Sequence, residues 1–70
     1  MTPAVESFSL FTNDMAVHNP CIAGTDEYKR WLSGALNGRA NRMPPTERSS
    51  PAYYEGWQWG REWAESQRVK

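Results

Sequence analysis

The 70-residue sequence predicts an all-α fold: two amphipathic helices, at about residues 25–39 and 51–67, joined by a proline-containing linker and preceded by an extended or mobile N-terminal arm. Three observations predict it. Apolar residues recur at helical spacing in both segments. Each segment opens on a capping residue. A run holding two adjacent prolines, which no helix interior accepts, separates them.

In the first helix, Thr25 is the expected N-cap, and Asp26 and Glu27 place negative charge in the first turn. Tyr28, Trp31, Leu32, Ala35, Leu36 and Gly38 share one face, with Arg30, Ser33 and Asn37 on the other. Gly38 before Arg39 reads as the C-terminal stop. Residues 40–50 form the linker, in which Pro44 and Pro45 favour extended geometry. Ser50 caps the second helix, and Pro51 takes its first position, where a missing N–H costs nothing. Tyr53, Gly56, Trp57, Gly60, Trp63 and Ala64 share its apolar face, with Trp59 at the flank. Arg68, Val69 and Lys70 place cations where they complement the helix dipole. Residues 1–24 show no helical period, so they read as an arm that Phe8, Leu10 and Phe11 pin to the helices or to a partner. The domain division is therefore 1–24, the arm, and 25–70, a helical hairpin.

The two helices echo each other. Trp31-Leu32-x-Gly34-x-x-x-Gly38-Arg39 aligns with Tyr53-Tyr54-x-Gly56-x-x-x-Gly60-Arg61. A glycine inside a helix costs about 0.8–1 kcal/mol relative to alanine. Close approach of two backbones is a physical reason to keep Gly34, Gly38, Gly56 and Gly60. The approach is between the two helices or between copies, the latter giving a homodimeric helical bundle.

Composition narrows the function classes. Eight Lys+Arg balance eight Asp+Glu, which disfavours unspecific coating of DNA. A lone Cys21 excludes an intramolecular disulfide. His18-x-x-Cys21 supplies too few ligands for zinc, and no phosphate loop or catalytic constellation occurs, so neither a metal, a cofactor nor an enzymatic activity is expected. No apolar run is long enough to span a membrane and no signal peptide is evident, so a reduced, cytoplasmic protein is expected. Neutrality hides a gradient. Residues 1–27 carry net −4, residues 28–48 net +4, and the remainder balances. Arg39, Arg42 and Arg48 sit on the linker side near aromatic residues, a combination that suits single-stranded or looped RNA.

From Tyr28 to Glu65 the chain resembles the ribosome modulation factor family. The resemblance rests on Trp31-Leu32-Ser33-Gly34-Ala35-Leu36-Asn37-Gly38-Arg39, on Asn41-Arg42-Met43-Pro44-Pro45, and on Tyr53-Tyr54-Glu55-Gly56-Trp57-Gln58-Trp59-Gly60-Arg61-Glu62. It implies a non-enzymatic regulator that binds the small ribosomal subunit's RNA and adjacent proteins and lowers translation. Arg39, Arg42 and Arg48 would then meet phosphates, joined by Arg61, and an exposed Trp59 or Tyr54 would stack on a base or pack on a ribosomal protein. The alternative is a small adaptor or inhibitor, of the kind found in phages and mobile elements. It would dock an aromatic surface of Tyr54, Trp57 and Trp59 on a protein target. Four tryptophans exceed what a two-helix core hides, which is the basis for expecting some of them exposed.

Overall fold

A computed structural model of the chain describes the backbone of residues 3–68 and the side chains of residues 9–67. Three helices follow in order: α1 Pro3–His18, α2 Asp26–Arg39 and α3 Pro51–Arg68. Among the described residues there is no strand. The all-α class and the bounds of α2 and α3 agree with the sequence reading. The expected extended arm is instead a 16-residue helix. The side chains of Phe8 and Arg68, and the whole of Val69 and Lys70, lie outside what the structure describes, and with them the expected C-terminal cations.

Pro3 opens α1, where proline's fixed φ suits a first turn. Its apolar contribution is Phe11 and Met15, one turn apart and both buried. The helix stops as Asn19 N–H closes on the Met15 carbonyl and Pro20 follows. Asn19 then organises the turn to α2. Its Oδ1 accepts from the Cys21 N–H at 2.9 Å, and its Nδ2 donates to the Tyr28 carbonyl at 3.4 Å.

Thr25 caps α2 as its sequence predicts, its hydroxyl accepting from the Tyr28 N–H. The C-terminal stop is not Gly38, which is buried within the helix. The chain leaves through Asn41 at φ 57°. Asn41 N–H bonds the Gly38 carbonyl and Arg42 N–H bonds the Asn37 carbonyl, the paired closure of a Schellman motif with asparagine in the left-handed position. Ser50 Oγ accepts from Tyr53 N–H and caps α3.

The relation between α2 and α3 corrects the hairpin. A Cβ added at Gly34 would strike the Tyr53 carbonyl oxygen, and one at Gly38 the Trp57 carbonyl oxygen. One at Gly56 would strike the Trp31 carbonyl, and one at Gly60 the Ala35 carbonyl. Contacts therefore advance along both helices in the same direction, and α2 and α3 run parallel. The linker carries the chain back. It returns from Arg42, beside Trp57, through Met43, beside Tyr53, to Ser50. Helix α2 is roughly 21 Å long at 1.5 Å per residue. An 11-residue linker reaches about 35 Å at most, so the return is easily spanned.

The four glycine contacts are also equivalent in pairs. Adding 22 to Gly34 and subtracting 22 from Tyr53 gives Gly56 and Trp31, and the same shift turns Gly38–Trp57 into Gly60–Ala35. The sequence echo is thus the signature of a local two-fold relation between parallel helices, each glycine admitting the other backbone to contact. Both glycine faces are spent inside the chain rather than on a second copy.

A two-fold pair has two faces. Helix α1 covers one, where Phe11, Met15, Trp31, Ala35 and Ala52 form the buried core and Trp59 and Trp63 pack against it. The linker covers the other, over Tyr53 and Trp57. No helix among the described residues is long and apolar enough to cross a membrane.

Candidate functional site

On the linker face, two aromatic tips anchor the returning chain. Trp57 Nε1 donates to the Arg42 carbonyl at 2.7 Å, and the Tyr53 hydroxyl donates to the Met43 carbonyl at 2.6 Å. Met43 is thereby held at φ 47°, a left-handed conformation that side chains seldom adopt. After Pro44 and Pro45 a tight turn forms. Thr46 N–H donates to Ser49 Oγ, Arg48 N–H to Thr46 Oγ1, and Ser49 N–H to the Thr46 carbonyl.

Between this turn and the helix pair lies a groove of about 720 Å³. Arg30 of α2 and Arg48 of the turn line it, with Met43, Pro44 and Tyr53 as its apolar surface and Ser50 at the start of α3. No carboxylate lines it. Two guanidinium groups and the positive end of a helix dipole give it an anion-attracting field, and Tyr53 supplies a ring edge.

The four arginines singled out from sequence do not gather in one place. Arg48 is in the groove, and Arg42 is exposed on the linker just before it. Arg39 is on the opposite side, half-buried, its guanidinium carbon 5.0 Å from the Phe11 ring centroid and 5.8 Å from that of Trp63. Arg61 pairs with Glu65 at 2.6 Å, one turn along α3. Arg30 was the member that spacing did not single out. It belongs to the basic stretch and to the polar face of α2, and only the returning linker brings it near Arg48.

The aromatic set divides as well. Tyr54 is half exposed, at 50%. Trp57 is partly buried and holds the linker. Trp59 was expected on the surface. It instead packs against the core, its centroid 5.5 Å from Phe11, 5.2 Å from Trp31 and 5.8 Å from His18. The reason is α1, which supplies the cover that two helices alone lacked. Gly34, Gly38, Gly56 and Gly60 all lie at the α2–α3 contact.

Comparison with known proteins finds no family model, curated protein or solved structure that matches the chain.

Proposed function

We propose that the chain is a non-enzymatic, cytoplasmic RNA-binding regulator that engages ribosomal RNA through the linker-face groove and lowers translation. The observation that carries the reading is the pairing of Arg30 and Arg48 across a groove that has an aromatic edge and no carboxylate. Guanidinium groups beside a ring suit phosphates and unstacked bases, the features that single-stranded and looped RNA presents. The resemblance of residues 28–65 to ribosome modulation factors supports the same reading and supplies the ribosome as the target. Arg42, exposed at the end of the groove, extends the basic track along the linker.

Sedimentation of the tagged protein in bacterial lysate through sucrose gradients, at low and raised salt, tests this. Co-migration with the small subunit or with ribosome dimers, lost as salt rises, is the expected result. The variant Arg30→Glu/Arg48→Glu should remain at the top of the gradient with unchanged helicity. On a single-stranded RNA probe, loss of two phosphate contacts should flatten the salt dependence of log K by about 1.4. Wild-type protein left at the top at both salts would overturn the ribosomal reading in favour of an adaptor that docks on a protein.

A further inference from the structure

We infer that the linker-face groove takes the end of a nucleotide ligand, with a terminal phosphate monoester on its donors and the attached base on its apolar wall. The inference rests on the reading of this groove as an RNA site and narrows it from strands in general to strand ends.

The groove is a set of free donors. Neither Arg30 nor Arg48 makes an ion pair or side-chain hydrogen bond among the described residues, and no carboxylate lines the groove. Its three hydroxyl oxygens all accept from backbone: Thr46 Oγ1 from the Arg48 N–H at 3.2 Å, Ser49 Oγ from the Thr46 N–H at 2.9 Å, and Ser50 Oγ from the Tyr53 N–H at 3.2 Å. None of the three donates its own proton to a described residue. Elsewhere the protein uses such protons, since the hydroxyls of Thr12 and Thr25 donate to the Ser9 and Ile22 carbonyls at 2.9 and 2.6 Å. The groove hydroxyls are therefore fixed through their oxygens with a proton left to give. These donors are side chains and not helix amides. Pro51 has no N–H, and Ser50 takes up those of Tyr53 and Tyr54, on its hydroxyl and its carbonyl.

Two unpaired guanidinium groups and three hydroxyl protons around one space match a ligand with several acceptor oxygens and more than one negative charge. A phosphodiester inside a strand carries a single charge. A terminal monoester carries about −1.5 to −2 at neutral pH and has three acceptor oxygens. The wall favours an end as well. It is one continuous stretch from Met43 to Ser50, tied onto α3 where the Tyr53 hydroxyl meets the Met43 carbonyl. A strand running through would have to leave past that tie, and a strand end need not.

Charge points the same way. The chain has no net charge, Arg39 lies over rings on the α1 side, and Arg61 is matched by Glu65. Few cations are left to follow a long backbone, whereas one terminal phosphate needs two. The groove's volume of about 720 Å³ falls among those of small-ligand sites, roughly 300–1,000 Å³. The base lies against Met43, Pro44 and the half-buried Tyr53 ring, and exposed Arg42 meets the next phosphate.

Calorimetric titration of the full-length protein at one fixed salt concentration tests this. The ligands are a short single-stranded RNA with a 5′-phosphate, a 3′-phosphate or neither, a 5′-hydroxyl strand two nucleotides longer that equals the phosphorylated strands in charge, and adenosine 5′-monophosphate. A strand phosphorylated at one end should bind about tenfold more tightly than either hydroxyl strand. Arg30→Gln/Arg48→Gln should keep its melting curve and lose that preference. The mononucleotide separates the sources of the monoester: affinity equal to that of the phosphorylated strand assigns the groove to free nucleotides, and much weaker affinity assigns it to RNA ends. Equal binding of the phosphorylated and charge-matched strands, with none of the mononucleotide, would overturn the inference and leave the RNA reading standing. Binding of the mononucleotide with no strand bound would keep the monoester site and overturn the RNA reading. A preference that survives in the double variant would place the phosphate outside the groove.

Discussion

The indole N–H of Trp63 donates to the carboxylate of Asp14 at 2.8 Å, joining residues 49 apart in sequence. It fixes α1 against α3 beside Phe11, whose ring meets that of Trp63 edge-on with centroids 4.9 Å apart. Both partners are partly buried, so the bond carries the strength of a charge-assisted contact without a fully buried charge. Asp14→Ala should therefore cost about 1.5–2 kcal/mol, since it leaves the indole donor unmatched. Asp14→Asn should cost less than half of that, because the amide oxygen still accepts. Thermal melts decide the matter, at about 4–8 °C per kcal/mol for a domain of this size. Equal melting of the alanine variant and the wild type would mean that α1 is held by Phe11 and Met15 alone.

Gly34→Ala and Gly56→Ala should be equally damaging. Each new methyl would meet a carbonyl of the facing helix, that of Tyr53 or of Trp31, and backbone cannot step aside as a side chain can. Overpacking of this kind costs about 1–3 kcal/mol, against about 1 kcal/mol regained in helix propensity. The difference is a net loss of up to about 2 kcal/mol in each, and the upper end is expected in urea unfolding because the added carbon meets backbone rather than side chain. Similar losses at the two positions would express their two-fold equivalence. A neutral Gly34→Ala beside a damaging Gly56→Ala would break that equivalence.

Trp59 and Tyr54 separate core from surface. The Trp59 ring packs on Phe11 and Trp31, so Trp59→Ala should cost about 3 kcal/mol, the low end for loss of a packed indole. Tyr54 is half exposed, and its hydroxyl meets only Gln58 in an exposed bond, so Tyr54→Ala should change stability by less than about 0.5 kcal/mol. A cooperative, unshifted melt for Trp59→Ala would return that residue to the surface.

The features legible in the sequence are those that local chemistry decides. Thr25, Ser50 and Pro51 mark helix starts because each serves the first turn directly. The apolar spacing of α3 is strong enough to place it unaided. Helix α1 is different. Ser7, Ser9, Thr12, Asn13 and Asp14 are poor helix formers, and the apolar spacing Phe8, Phe11, Met15 is short. Its order comes from docking Phe11 and Met15 on indoles that lie far along the chain, a tertiary contribution that propensity does not carry. The echo does not give the direction of α3, since two copies of one motif can pair about a two-fold axis in either sense, and the glycine contacts decide it. Two repeats that meet through the same glycines in the same order pair about a two-fold axis when parallel, and the long linker permits the return. Arg30 escaped for a related reason. Its neighbour Arg48 belongs to the linker, where helical periodicity says nothing, and lines the same groove only after the linker has folded back.

Arg39 should behave as a packing residue and Arg48 as a binding one. The Arg39 guanidinium lies over the Phe11 and Trp63 rings, and its stem covers the edge of the α1 contact. Cation–π contacts are worth about 0.5–1 kcal/mol when exposed and about 2 kcal/mol when desolvated. Arg39→Gln should lower stability by about 1 kcal/mol and leave the salt dependence of RNA binding unchanged. Arg48 is exposed at the groove, so Arg48→Gln should leave the melt unchanged and flatten that dependence by about 0.7 on a single-stranded probe. Paired melting curves and salt titrations of the two variants read both quantities. A flattened salt dependence in Arg39→Gln, with an unmoved melt, would place that guanidinium on phosphate and shift the RNA surface from the linker face to the side of α1.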